Sequence, residues 1–112
     1  MTVTIREARV EDAATIAQFN CALADETEDD GLDEATVLRG VTRFLQGHGA
    51  GFYLVAESGP TVVGCLMITY EWSDWRDGNL WWIQSVYVHP EHRRRGVFRA
   101  LFERIREQAE AD

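Results

Sequence analysis

The chain has 112 residues and a net charge of −8, nineteen acidic side chains standing against eleven basic ones. That length supports one domain with a modest core, and the acidic balance argues against a general binder of nucleic acid or anionic membranes. No run of about eighteen apolar residues occurs, so no segment reads as membrane-spanning.

The charges are unevenly placed. All eleven basic residues are arginine, and six of them (Arg93, Arg94, Arg95, Arg99, Arg104 and Arg106) fall near the C-terminal end. Seven acids crowd between Asp25 and Glu34. One region therefore suits an anionic ligand and another a cationic one. The N-terminus, MTVTIREA, lacks the basic-then-apolar plan of a signal peptide. Cys21 and Cys65 have no metal-ligand spacing and read as buried thiols in a reducing cytoplasm. His48, His89 and His92 are scattered, and no metal site or Ser-His-Asp set can be assembled.

Taken in order, residues 2–7 alternate Val3 and Ile5 with Thr4 and Arg6, the pattern of a short strand. Residues 10–24 follow as a helix, with Ala13, Ile16, Ala17 and Leu23 on one face and Phe19 beside it. The segment 25–31, DETEDDG, is charged, lacks aliphatic residues and ends in glycine, which predicts a loop. Asp33 or Asp30 can cap a second helix over about 33–46, burying Val37, Val41, Phe44 and Leu45. Two strands, 52–57 and 61–71, are joined by Ser58-Gly59-Pro60 as an antiparallel hairpin. A loop, WSDWRDGN, leads to a third strand over 80–88, opening on Leu80 and closing on Val88. Pro90 stops that strand. The turn HRRRG then leads into a helix carrying Val97, Ala100, Leu101 and Ile105 at helical spacing. A strand, an arginine-glycine turn and a helix in succession make an anion site, because helix N-terminal amides are unpaired and the dipole is positive there.

The run Val86-Tyr87-Val88-His89-Pro90, followed by Arg93-Arg94-Arg95-Gly96-Val97, resembles the acetyl-CoA-binding motif of the GNAT N-acetyltransferase superfamily. That motif reads Gln or Arg, two residues, Gly, one residue, then Gly or Ala. Here it spans Arg93 to Phe98; Arg93 and Gly96 match, and Phe98 replaces the small last residue. The fold implied is α/β (α+β), one domain over 1–112 with a mixed, mainly antiparallel sheet in the order β-α-α-β-β-β-α. The strand-helix-strand portion that usually closes the family's domain has no counterpart in the sequence. A piece of a longer chain is the preferred explanation; completion by a partner subunit and a natural remnant are the others. The strand at 80–88 would then be an open edge carrying Trp81, Trp82 and Tyr87, suited to homodimer pairing.

The resemblance also implies roles. Amides of Arg94, Arg95, Gly96, Val97 and Phe98 would hold the diphosphate of acetyl-CoA, with Arg93 and Arg99 adding charge-assisted bonds. Val86 and Val88 would pair with the pantetheine arm, and the Val86 amide would serve as oxyanion donor. Many relatives place a glutamate in this strand where the chain has Gln84, which cannot accept a proton. Glu28 and Glu26 are the candidate bases, with Glu71 as a further one. The tyrosine that commonly protonates the departing thiolate lies in the family's last third, and neither Tyr70 nor Tyr87 matches its position. Trp72, Trp75, Trp81 and Trp82 either floor an acceptor pocket or pack a hairpin. The function implied is direct acetyl transfer to a small cationic amine, without a metal, in the cytoplasm. The alternative is a CoA-binding or dimerisation module without activity.

Overall fold

A computed structural model describes residues 2–27 and 31–111. The order is β1 (Thr4–Glu7), a 3-10 turn (Val10–Asp12), α1 (Ala13–Thr27), α2 (Glu34–Arg43) continued by a π turn (Phe44–His48), β2 (Gly51–Ser58), β3 (Thr61–Ser73), β4 (Gly78–Val88), a 3-10 turn (Pro90–His92) and α3 (Val97–Ala111). The strands form one antiparallel sheet in the order β1-β2-β3-β4.

Both faces of the sheet are covered. Successive strand side chains point to opposite faces, so a strand buried on both sides reads as a continuous apolar run. Tyr53, Leu54, Val55 and Ala56 are all buried for this reason. Tyr53, Val55 and Cys65 pack with Ile16, Ala17 and Phe19 of α1 and Val41 of α2. Leu54, Ala56, Val63, Leu66 and Ile68 pack on the other face with Val97, Leu101 and Ile105 of α3. Gly64 permits that second packing, since a Cβ there would lie 3.1 Å from the Tyr87 carbonyl oxygen and 3.2 Å from Val97 Cγ1.

The predicted elements need three corrections, and one of the two offered caps is found. Residues 25–27, expected as loop, are the last turn of α1; Thr27 Oγ1 donates to the Leu23 carbonyl at 2.8 Å, and Glu26 is held from outside the helix. Glu28 and Asp30 lie outside the described residues, and Asp33 is the cap of α2, accepting from the Thr36 amide at 3.1 Å. The expected loop at 72–79 is mostly ladder, because Trp72 pairs with Asn79 and Ser73 with Gly78. The side chains expected along an open edge divide between the two faces. Tyr87 is buried against Phe19, with ring centroids 5.2 Å apart, and Trp81 stacks on Phe52 and Tyr70. Trp82 stays exposed and donates its indole N–H to Glu71 at 2.7 Å.

A polar clasp holds the chain's start. The Arg6 guanidinium donates to both oxygens of Asp12 at 2.8 and 2.9 Å and to Glu57 at 2.9 Å, while the Arg9 amide donates to Asp12 at 2.7 Å. Asp12 is buried, and the bonds from Arg6 hold its carboxyl below the usual carboxylate range against the opposing effect of burial. Removing one partner strands a buried charge. Arg6→Ala, which leaves the buried Asp12 carboxylate without its cation, is therefore expected to lower unfolding free energy by about 3 kcal/mol in urea titrations. Because the folded pKa is depressed, the stabilisation is present above the unfolded carboxylate pKa. It is lost as pH falls through the lower folded value, and the variant should lack that acid-side loss.

Candidate functional site

The site is built around a break in β4. Tyr87 pairs with Cys65 and Gln84 with Met67, so Ser85 and Val86 stand together opposite the single residue Leu66. Two residues against one is a β-bulge, and Ser85 takes φ 51° to make it. The bulge switches the facing of the strand: Trp81 packs on the α3 side before it, Val86 and Val88 on that same side after it, and Tyr87 turns towards α1. It also interrupts the regular ladder at Ser85 and Val86.

Two clefts meet here. One, of about 390 Å³, is lined by Val86, Tyr87, Val88, His92 and every residue from Arg93 to Arg99 except Arg95, together with Leu23. The other, of about 420 Å³, opens between α1, α2 and the sheet; Leu23 borders it too, and Ser85 closes it at β4. The bulge thus supplies one residue to each.

The first cleft ends on the turn that starts α3. Arg94 and Gly96 adopt φ 65° and 84°, and Gly96 meets nothing within 4 Å of an added Cβ, so glycine serves the backbone conformation there. The Ala100 amide donates to the Gly96 carbonyl at 3.0 Å, the first bond of α3. The amides of Val97, Phe98 and Arg99 precede it and have no intrahelical acceptor. Arg94, Arg95 and Arg99 are exposed around this end. The Phe98 ring pairs with Phe102 one turn along, centroids 6.1 Å apart. His92 Nδ1 is buried beside the cleft without a hydrogen-bond partner.

Arg93 is engaged differently. Its Nε donates to the Val88 carbonyl at 2.8 Å, and Nη2 donates to both oxygens of Glu26 at 2.9 and 3.0 Å. Its guanidinium lies 5.2 Å from the Tyr87 ring centroid. Tyr87 donates its hydroxyl to Glu26 at 3.0 Å. These bonds fasten the end of α1 to the end of β4. The Tyr87 hydrogen bond and then Arg93 hold the Glu26 carboxyl below its ordinary range, which opposes proton acceptance. Gln84 donates to Thr69 Oγ1. Burial pushes the Cys65 thiol up to about 12, and Cys21 is raised as well, by burial and then by Glu34, Asp25 and Asp33. Both cysteines are free.

Among the described residues, no cluster of three or more His, Cys, Asp or Glu could hold a metal, and no helix is long and apolar enough to cross a membrane. The tryptophans floor neither cleft at the bulge. Trp75 sits fully exposed in the β3–β4 turn, and Trp72 and Trp81 border a separate depression with Asp77. Three residues of the second cleft escaped sequence reading: Asn20, Tyr53 and Ser85. The available signals were the amide Asn20 set between Phe19 and Cys21 in α1 and the polar pair Gln84–Ser85 interrupting an apolar strand.

The Tyr87 phenol titrates above its usual value because of burial and then of Glu26. In Glu26→Gln the neighbouring charge is gone, so Tyr87 is expected to ionise at lower pH, followed by the NMR shift of its ring carbon Cζ.

Comparison with known proteins agrees with this geometry. The family model described as acetyltransferase (GNAT) family matches residues 14–112. A possible acetyltransferase from Clostridium difficile 630 is 47% identical, with a TM-score of 0.92 over 100% of this chain and 74% of that one. A ribosomal-protein-alanine N-acetyltransferase from Brucella melitensis biovar Abortus 2308 is 21% identical, with a TM-score of 0.82 over 99% and 74%. A predicted acetyltransferase with acetyl-CoA from Clostridium acetobutylicum is 17% identical, with a TM-score of 0.79 over 98% and 75%. No curated protein matches the chain. With a family match across nearly its whole length, the chain belongs to the GNAT acetyltransferase family.

Proposed function

We propose that this chain moves the acetyl group of acetyl-CoA directly onto a primary amine. The observation that carries the reading is the meeting of two clefts at the Ser85–Val86 bulge, one of which ends in an anion cradle. The cradle suits the cosubstrate: Val97, Phe98 and Arg99 offer free helix-start amides, Gly96 the required conformation, and Arg94, Arg95 and Arg99 exposed cations for phosphates. Val86 and Val88 would line the pantetheine arm, as they line the cleft. Acetyl-CoA supplies an acetyl group activated as a thioester. The Val86 amide, where the regular ladder is interrupted, is a fixed donor for negative charge developing on an acyl oxygen. Arg93, spent on Glu26 and Val88, keeps the turn in place instead of meeting phosphate by its side chain.

Direct transfer fits better than a covalent acyl-cysteine. Cys65 is fully buried and its thiol stays protonated at neutral pH. Calorimetric titration should show acetyl-CoA binding to the folded protein, and thiol release should follow addition of a reactive primary amine. Gly96→Val forces a branched residue into positive φ and should weaken acetyl-CoA about tenfold while far-UV circular dichroism is kept. Binding of acetyl-CoA with no thiol release on any primary amine would point to a CoA-binding module instead. Absence of binding would remove the reading altogether.

A further inference from the structure

We propose that the amine acceptor has an apolar body and reacts from its neutral form, and that Asn20 positions it by accepting an amine N–H on its side-chain oxygen. The proposal rests on the transferase reading and names the substrate class of the second cleft. Leu23, Leu32, Val37, Val41, Phe44 and Met67 make up half of the residues on its wall. Among the described residues lining it, none is charged and Tyr53 is the one titratable group. The acid-rich segment expected to attract a cation therefore places no described carboxylate in the cleft.

Asn20 is the unresolved polar group. Its Nδ2 donates to the Tyr53 hydroxyl at 3.1 Å, yet its Oδ1 is buried without a partner on the wall of this cleft. Buried acceptors are normally satisfied, and an N–H arriving in the cleft would satisfy this one. The other hydroxyl on the α1 side is occupied, since Thr27 donates to the Leu23 carbonyl. Asn20 is a positioning residue in this account, because it orients the nucleophile and takes no proton.

The apolar wall also bears on the fate of the amine's proton. Leaving water for an apolar cleft disfavours the ammonium, so an amine enters as the free base and leaves its extra proton in bulk solvent. Attack then forms the N–C bond as the C–S bond breaks. One of the two remaining amine protons ends on the departing sulfur, and the products are the amide and the free thiol. The balance needs no carboxylate, which agrees with Gln84 donating to Thr69 and Glu26 being held by Arg93.

The test compares hexylamine and phenylethylamine with putrescine and spermidine, in the wild-type chain and in Asn20→Leu and Asn20→Asp. Turnover is read by thiol release. Amine binding is read separately by the NMR shift of the Asn20 side-chain amide in protein saturated with CoA. Wild type should favour the apolar amines in kcat/KM, and phenylethylamine should shift the Asn20 amide where putrescine does not. Asn20→Leu should lose about tenfold or more in kcat/KM for apolar amines, with acetyl-CoA affinity within about twofold and thermal stability kept. A purely structural role would instead lower stability without changing the order of the amines. Asn20→Asp should shift preference towards the diamines. Preference of the wild type for polycations, or unchanged kinetics in Asn20→Leu, would overturn the proposal while the transferase reading stands. Amine binding at Asn20 without turnover on any amine would do the reverse.

Discussion

The β-bulge at Ser85–Val86 is the constraint on which the rest of the structure depends. A regular β4 would keep one parity from Gly78 to Val88, and a strand packed on both faces has no slack for a change of register. The extra residue lets Trp81 and Val86 share the α3 face although their positions differ in parity, and it turns Tyr87 onto Phe19 of α1. It also sets one cleft on either side of a single peptide unit. The geometry that buries Tyr87 is therefore the geometry that brings the two clefts together.

Tyr87 ties the core to the turn before α3. Its ring belongs to the core, its hydroxyl reaches Glu26, and Arg93 covers its face. Glu26 and Arg93 are both exposed, so the ion pair itself adds little stability. Its value lies in geometry: two hydrogen bonds to the carboxylate and one to the Val88 carbonyl fix where the turn leaves the strand. The turn at Gly96 is then held at a set distance from the bulge. From the other side, Gly64 lets Val97 press against the end of β4, so α3 begins close to the sheet.

The fold was largely legible in the sequence because its signals are local. Alternation in residues 2–7, helical spacing of Val97, Leu101 and Ile105, and Gly59-Pro60 between two strands each specify an element within a few residues. The turn from Arg93 to Gly96 and the start of α3 were legible for the same reason, since glycine, arginines and a helix start are adjacent in the chain. What the sequence hid depends on distant partners. Residues 25–27 look like loop by charge, and only Arg93 and Tyr87, more than sixty positions away, explain a helical turn ending there. The Asn20–Tyr53 hydrogen bond appears only when α1 is laid over β2. Charge counting pointed to a cationic acceptor, whereas no described residue lining the second cleft is charged; of the described acids of this segment, Glu26 is bonded to Arg93 and Tyr87 and Asp33 caps α2.

The central claim is that one bulged strand serves two clefts, and amide chemical-shift mapping with acetyl-CoA addresses it most directly. The account predicts that the largest changes fall on Val86, Val88 and the amides from Arg94 to Arg99, continue weakly to Ser85, and spare β1 and the β3–β4 turn near Trp75. Changes centred on the Trp72–Trp81 depression, or a Val86 amide unmoved while acetyl-CoA saturates, would contradict it.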